Sequence, residues 1–224
     1  MQLLERHSYE SGRDYAMRVI RENIIRMDLA PGAAISDREL AAWMNLPRTP
    51  VREALLDLAK VKIVEIYPQK GSVVAPIDYS LVEEAQFMRS VLEIAVVQLV
   101  CQCAADSQIA QLKENVELQE FYFQHGSTER LLEMDDEFHK LLFQIAGRMQ
   151  TYELMKSLTV HFDRVRSLEV TAVKEHLWIG DHRKIYEAVA AHDPERAKAL
   201  MEMHLNRYKV DEAVLREQYP QYFQ

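Results

Sequence analysis

The spacing of apolar residues divides the chain into a first part of mixed periodicity and a second part that is helical throughout. Residues 13–27 carry Tyr15, Ile20, Ile24 and Met27 at helical intervals and predict an amphipathic helix. Leu29-Ala30-Pro31-Gly32 stops it in a turn. Ser36-Asp37-Arg38-Glu39 has the form of a capping box, with Ser at the cap and Glu three residues later. It opens a helix to about Met44 that buries Leu40, Ala41 and Met44. Asn45 suits the left-handed conformation that ends a helix. Thr49 and Pro50 then read as the cap and first position of a further helix, whose apolar face is Val51, Ala54, Leu55 and Leu58. Two short helices joined by so tight a turn describe a helix-turn-helix.

After Lys60 the period falls to 2. Val64 and Ile66 alternate with Glu65 and Tyr67, Pro68-Gln69-Lys70-Gly71 forms a turn, and Ser72-Val73-Val74-Ala75 returns as a second strand. A hairpin directly after a helix-turn-helix is a wing. Pro76-Ile77-Asp78 reads as a linker, which predicts domains at 1–76 and 77–224. From Ser80 onward six helical segments follow, 80–104, 106–124, 127–146, 149–170, 173–191 and 193–218. Their breaks are Asp106-Ser107, Gly126-Ser127, Gly147, Thr171 and Asp193-Pro194. The expected fold is therefore mainly α, a winged helix-turn-helix followed by an all-α bundle of six to seven helices.

Composition adds limits. With 224 residues, 48% hydrophobic and 28% charged, the chain is ordinary for a soluble globular protein. No apolar run approaches the ~20 residues of a membrane span, and Met1 to Glu10 lacks a signal-peptide core, so a cytoplasmic protein is expected. Cys101 and Cys103, two apart on a helix, do not face each other and read as buried, reduced thiols. The net charge of −8 looks wrong for a nucleic-acid binder until it is divided. Residues 1–78 hold 11 basic and 11 acidic side chains, and residues 79–224 hold 16 and 24. A neutral region can still bind DNA if its arginines cluster on one face, and a dimer would double the contacts.

Arg48 and Arg52 flank the start of the third helix and fall off its apolar face, where a recognition helix meets base edges and phosphates. Lys70 beside Gly71 gives the wing a basic tip. In the second part, Asp135 and His139 are four apart on the face of Phe138, Leu142 and Ile145. His182 lies on the stripe of Trp178, Ile185 and Val189, and His204 on that of Ala197, Leu200, Met201 and Tyr208. Inward polar groups are costly to bury without partners. Each could be hydrogen-bonded singly in the core, or all could share a divalent transition metal, Zn or Ni first, with Mn, Co or Fe also compatible. His161, on the stripe of Leu154, Leu158, Val165 and Leu168, could be a substitute ligand, a pocket-lining donor or plain core. His7, His125 and His192 fall at a terminus or at breaks and are expected in solvent. Arg89 and Glu93 are four apart on a helix whose stripe is Ala85, Met88, Leu92, Ala95 and Leu99. They read either as a weak surface ion pair or as a clamp for a carboxylate.

Pro31-Gly32, Arg38-Glu39-Leu40-Ala41 and the run Arg48-Thr49-Pro50-Val51-Arg52-Glu53-Ala54-Leu55 resemble the GntR family of bacterial transcription regulators. Arg89 with Leu92-Glu93, Asp135-x3-His139, and His182 followed 22 residues later by His204 resemble its FadR-type, FCD-domain branch. The resemblance implies that Arg38, Arg48, Thr49 and Arg52 contact operator DNA and that Lys70-Gly71 enters the minor groove. It implies that Asp135, His139, His182 and His204 hold the metal, and that Arg89 lines the cavity of a small carboxylate effector, with His161 as a further candidate there. It also implies a homodimer on palindromic double-stranded DNA, a ligand-responsive repressor rather than an enzyme. A metal-dependent enzyme or a direct metal sensor on the same site are the alternatives. One departure concerns Gly147, followed here by Arg148-Met149 where that branch shows Gly-Asn, and it leaves the effector class open.

Overall fold

The computed structural model describes residues 1–69, 71–172, 177–206 and 208–224, and only the backbone of 128–129, 169–172, 177–179 and 208–212. Ser11 caps α1 (Gly12–Ile25) by accepting from the Asp14 amide, and Ser36 caps α2 (Asp37–Trp43) by accepting from Glu39. Asn45 ends α2 in the left-handed region, with φ 52°. The next helix, α3 (Arg48–Lys60), starts two residues earlier than its sequence suggests. Pro47 occupies the cap, so Thr49 is not a capping residue. Pro50 is still tolerated, because first-turn amides have no acceptor within the helix.

The wing gains a strand. β1 (Ala34–Ile35), too short to show a period, pairs antiparallel with β3 (Gly71–Val74), which pairs in turn with β2 (Val64–Tyr67), Tyr67 opposite Gly71. Val19, Ile20, Ile24, Leu40, Val51, Leu55 and Leu58 close the core beneath this sheet.

The second part contains α4 (Tyr79–Cys103), α5 (Asp106–Gln124), α6 (Thr128–Ile145), α7 (Met149–Leu158), α8 (Val160–Ala172), α9 (Leu177–Ala190), α10 (Pro194–Leu205) and α11 (Tyr208–Gln218). Two of the expected segments are each divided, so the described residues form eight helices there. The division at Thr159 changes which face is inward. Leu154 and Leu158, on α7, are exposed, whereas His161, Val165 and Leu168, on α8, are buried.

Along α4 the expected inward stripe is largely the outer one. Val82, Ala85, Gln86, Arg89, Glu93, Val96, Val97 and Val100 are buried, while Met88, Leu92, Ala95 and Leu99 are half-buried or exposed. The helix is apolar on both sides, so periodicity cannot tell which side faces the bundle. Cys101 is buried as expected; Cys103 is exposed, because it lies on the outward side of the last turn.

Helix α8 joins the two parts. Val160 packs into the core of the winged helix, while Phe162, Val165 and Leu168 pack with Ile77, Tyr79, Val82 and Leu215. His161 Nε2 lies 2.8 Å from the Val61 carbonyl at the end of α3, and the buried Arg164 donates to the Ala75 carbonyl at 2.6 Å.

Candidate metal centre and DNA-facing surface

Three helices bring Asp135 and His139 (α6), His182 (α9) and His204 (α10) to one buried point, with one donor atom from each within 4.8 Å of the others. His204 Nε2 lies 3.2 Å from His182 Nε2 and 3.3 Å from His139 Nε2, and Asp135 Oδ1 lies 3.7 Å from His182 Nε2. Two nitrogens each ~2.1 Å from one ion and at tetrahedral or octahedral angles stand about 3.0–3.4 Å apart.

The opposite edge of each imidazole faces a side-chain oxygen, within hydrogen-bond distance for His139 and His182. His139 Nδ1 lies 2.5 Å from Glu93 Oε2, His182 Nδ1 lies 2.7 Å from Gln119 Oε1, and His204 Nδ1 faces Asp181 Oδ2 at 3.8 Å. A proton held at Nδ1 by an acceptor turns Nε2 into the ligating atom. Three imidazole Nε2 atoms and a carboxylate thus converge, which is the donor set of a divalent cation. Burial, reinforced by His204 and His139, holds His182 well below the usual imidazole range, and burial also lowers His204. Neutral imidazoles are the ligating form.

The surroundings carry a second layer of charge. Arg166 of α8 pairs with Asp135 and donates to Asp136 Oδ1 at 2.6 Å. Lys156 donates to Asp163 Oδ2 at 2.8 Å. Arg89 donates through Nε to Glu93 Oε1 at 2.7 Å and lies over the Phe162 ring at 4.4 Å. Burial alone would raise the Glu93 carboxyl, but Arg89 and His139 reverse this and hold it far below the carboxylate range. Arg89 is thus neither a surface ion pair nor a free clamp. The cavity among Arg89, His139, Tyr152, Lys156, Thr159 and Arg166 measures about 10 Å³, room for roughly one water.

His161 does not reach this cluster. It lines a separate groove with Val61, Lys62, Leu81, Phe87, Met88 and Leu158. The Arg148 side chain faces solvent and donates to the Gly147 carbonyl, away from the cluster, where Gly147 (φ 66°) closes α6. His7, His125 and His192 are exposed as expected, and His176 lies outside the described residues.

On the winged helix, Arg38, Arg48, Thr49 and Arg52 are all exposed at the N-terminal ends of α2 and α3. Arg48 reaches back to Asp37, donating to its two oxygens at 2.9 and 3.0 Å. Arg52 borders the cleft between α3 and the wing with Tyr67, Gln69 and Gly71, and Gly71 adopts φ 97° at the start of β3. Lys70 lies outside the described residues.

Residues 14–74 match the family described as bacterial regulatory proteins, gntR family, and residues 84–207 match the FCD domain. The chain belongs to the GntR family, with an FCD domain. This GntR protein is 30% identical to the HTH-type transcriptional repressor RspR of Escherichia coli over 92% of its own length and 91% of that protein. It is 32% identical to the Nta operon transcriptional regulator of Aminobacter aminovorans over 61% of its own chain and 63% of that one. The structure of E. coli McbR/YncC shares its fold, with TM-score 0.78 at 22% identity, covering 94% of this chain and 99% of that one. The relatives are transcriptional regulators and not enzymes, so the enzyme alternative falls.

Four residues around the GntR protein's cluster escaped the sequence reading: Gln119, Asp181, Arg166 and Lys156. Asp181 sits beside His182 and could have been suspected from that adjacency. Gln119, Arg166 and Lys156 carry no periodic signal that sets them apart from other polar residues on their helices.

Proposed function

We propose that this transcriptional regulator is a ligand-responsive repressor. In this reading residues 1–76 bind palindromic operator DNA as part of a homodimer in the cytoplasm, and residues 77–224 hold a divalent transition metal and respond to a small carboxylate. The convergence of three Nε2 atoms and Asp135 carries the reading. Asp135, His139, His182 and His204 would hold the ion, which would supply a Lewis-acidic position for a carboxylate. Glu93, Gln119 and Asp181 orient the imidazoles, and Arg166 fixes Asp135.

A carboxylate would pair with Arg89, competing with Glu93 for the guanidinium. With room for about one water, the cavity must widen for an organic acid to enter. That widening separates α7 and α8 from α4, and α8 holds the end of α3 and the chain after the wing through His161 and Arg164. The ligand can shift this arrangement only through its differential affinity, typically ~1–3 kcal/mol of coupling. The tightness of the cavity favours a second reading, a direct metal sensor with no organic effector.

The two are separated by gel-shift titration of the metal-free and metal-loaded protein, each with and without a panel of small carboxylates. A change in operator affinity on adding acid to the metal-loaded form alone supports the first. A change with metal alone supports the second. No metal uptake by calorimetry, with Zn or Ni, would overturn both.

A further inference from the structure

The groove that His161 lines lies where the end of α3 and the break between α7 and α8 face the first turns of α4. Lys62, left-handed at φ 60°, turns the chain out of α3, and His161 Nε2 meets the Val61 carbonyl there at 2.8 Å. A carbonyl only accepts, so Nε2 carries the proton, and in a neutral imidazole Nδ1 is then an acceptor. That atom is buried without a hydrogen-bond partner, in a residue only 4% exposed. Burial pushes the ring below its ordinary proton affinity, which keeps it neutral. A buried acceptor left unmatched is costly, and at the wall of a groove it calls for an occupant that brings a donor.

The other walls narrow the chemistry of that occupant. The groove measures about 350 Å³, within the ~300–1,000 Å³ usual for small-molecule sites. Leu81, Phe87, Met88 and Leu158 line it, and Phe87 is 68% exposed. A ring and a thioether favour an aromatic body over an aliphatic chain. Lys60, Lys62 and Glu84 stand exposed at the rim. Lys60 is paired with Asp57 at 2.8 Å, whereas Lys62 has no ion pair among the described residues. One available cation suits a single negative charge, and Glu84 opposes a second.

We propose that this groove binds a small aromatic monoacid bearing a hydroxyl or N–H group. The donor meets His161 Nδ1, the ring packs on Phe87, Met88 and Leu158, and the acid group pairs with Lys62. This site is separate from the carboxylate position at Arg89, and neither depends on the other. Its occupant rests against the contact by which α8 holds the end of α3.

Calorimetric titration of the full chain as purified tests the proposal with three probes: a hydroxynaphthoic acid with its two groups at opposite ends, naphthoic acid, and naphthol. The hydroxynaphthoic acid is expected to bind once per chain. Naphthoic acid should bind about threefold to tenfold more weakly, for one lost hydrogen bond. Naphthol should bind about twofold to fivefold more weakly, for one exposed ionic contact. His161→Phe should bind the two acids equally, and Lys62→Gln should bind the hydroxynaphthoic acid and naphthol equally. Leu81→Trp, which fills the groove, should abolish binding of all three, and it stands in if circular dichroism shows that His161→Phe does not fold. Arg89→Met/Glu93→Gln should bind them as the unmodified protein does. No binding of either acid at millimolar concentration leaves water as the groove's occupant and overturns the proposal. Binding that survives Leu81→Trp but is lost in Arg89→Met/Glu93→Gln moves the acid to the metal centre, and binding that survives both is non-specific; each overturns it. Failure of the chain to take up metal overturns the reading of the metal centre and leaves this one standing.

Discussion

His139 Nδ1 lies 2.5 Å from Glu93 Oε2, and Glu93 is in turn held by Arg89 Nε at 2.7 Å on its other oxygen. A candidate ligand, its orienting carboxylate and a buried guanidinium thus form one chain inside α4 and α6. The carboxylate serves both neighbours, and removing it has two separable consequences.

Glu93→Gln is expected to weaken metal affinity by ~10–100-fold, the usual effect of losing a partner that orients a ligating histidine. It also leaves Arg89 buried and unpaired, which costs roughly 3–5 kcal/mol of stability. Arg89→Met/Glu93→Gln should recover most of that stability while metal affinity stays low. Calorimetric titration with Zn or Ni and urea unfolding of both variants check the two effects.

The neutral state of the buried imidazoles sets a pH dependence with a definite sign. Burial, then the neighbouring His204 and His139, lower His182, and burial first also lowers His204, so both stay unprotonated in the fold below the pH at which the unfolded chain protonates them, near ~6.5. The unfolded state then binds more protons, and stability falls as pH falls. Glu93, whose carboxyl is depressed, contributes stability that is lost only below about pH 4.5. The melting temperature of the metal-free protein should therefore be flat above pH 7 with respect to these groups and decline from pH 6.5 to 5. His182→Gln should lessen that decline.

The winged helix was legible because its signals are local. Ser36, Asn45 and the alternation at Val64 and Ile66 act within a few residues; the structure keeps the cap, the helix end and the strand, although Ile66 is exposed while Val64 is buried. The Asp135-x3-His139 spacing and the stripes of His182 and His204 were legible for the same reason, since a helix face is set by spacing alone. The sides of α4 were not, because apolar residues lie all around it and only the bundle decides which are covered. The displacement of His161 into another groove follows from the break at Thr159, which has no glycine or proline to announce it. Gln119 and Arg166 are defined by contacts 63 and 31 residues distant, beyond any periodic signal.

Helix α8 predicts how the centre and the DNA-facing part are coupled. On one side Arg166 holds Asp135; on the other His161 reaches Val61 and Arg164 reaches Ala75. Burial lowers Arg164 to about 10, and Met of similar length can replace it without leaving a buried charge. Arg164→Met and His161→Phe are expected to leave metal affinity unchanged while diminishing the change in operator affinity on metal or effector binding, up to the whole ~1–3 kcal/mol coupling. Calorimetry and paired gel shifts read the two quantities. A merely structural role for these residues would lower the melting temperature and leave the coupling in place.

The pairing of Arg48 with Asp37 predicts opposite effects for neighbouring substitutions on the DNA-facing surface. Arg48 is 63% exposed in that pair, and an exposed pair is worth ~0–1 kcal/mol, less than a phosphate or base contact. The guanidinium therefore exchanges Asp37 for DNA at little cost, while the Asp37 carboxylate remains close to the phosphates and repels them. Asp37→Asn should strengthen operator binding several-fold, with non-specific DNA gaining as much, since the carboxylate reads no base. Arg52→Ala, at a residue with no ion pair among the described residues, should weaken operator binding several-fold to a hundredfold, on the ~1–3 kcal/mol of a good base contact, and narrow the gap between operator and random DNA. Gel shifts on both DNAs across a salt series check all of this. Equal losses on operator and random DNA for Arg52→Ala would reassign that residue from base reading to phosphate contact.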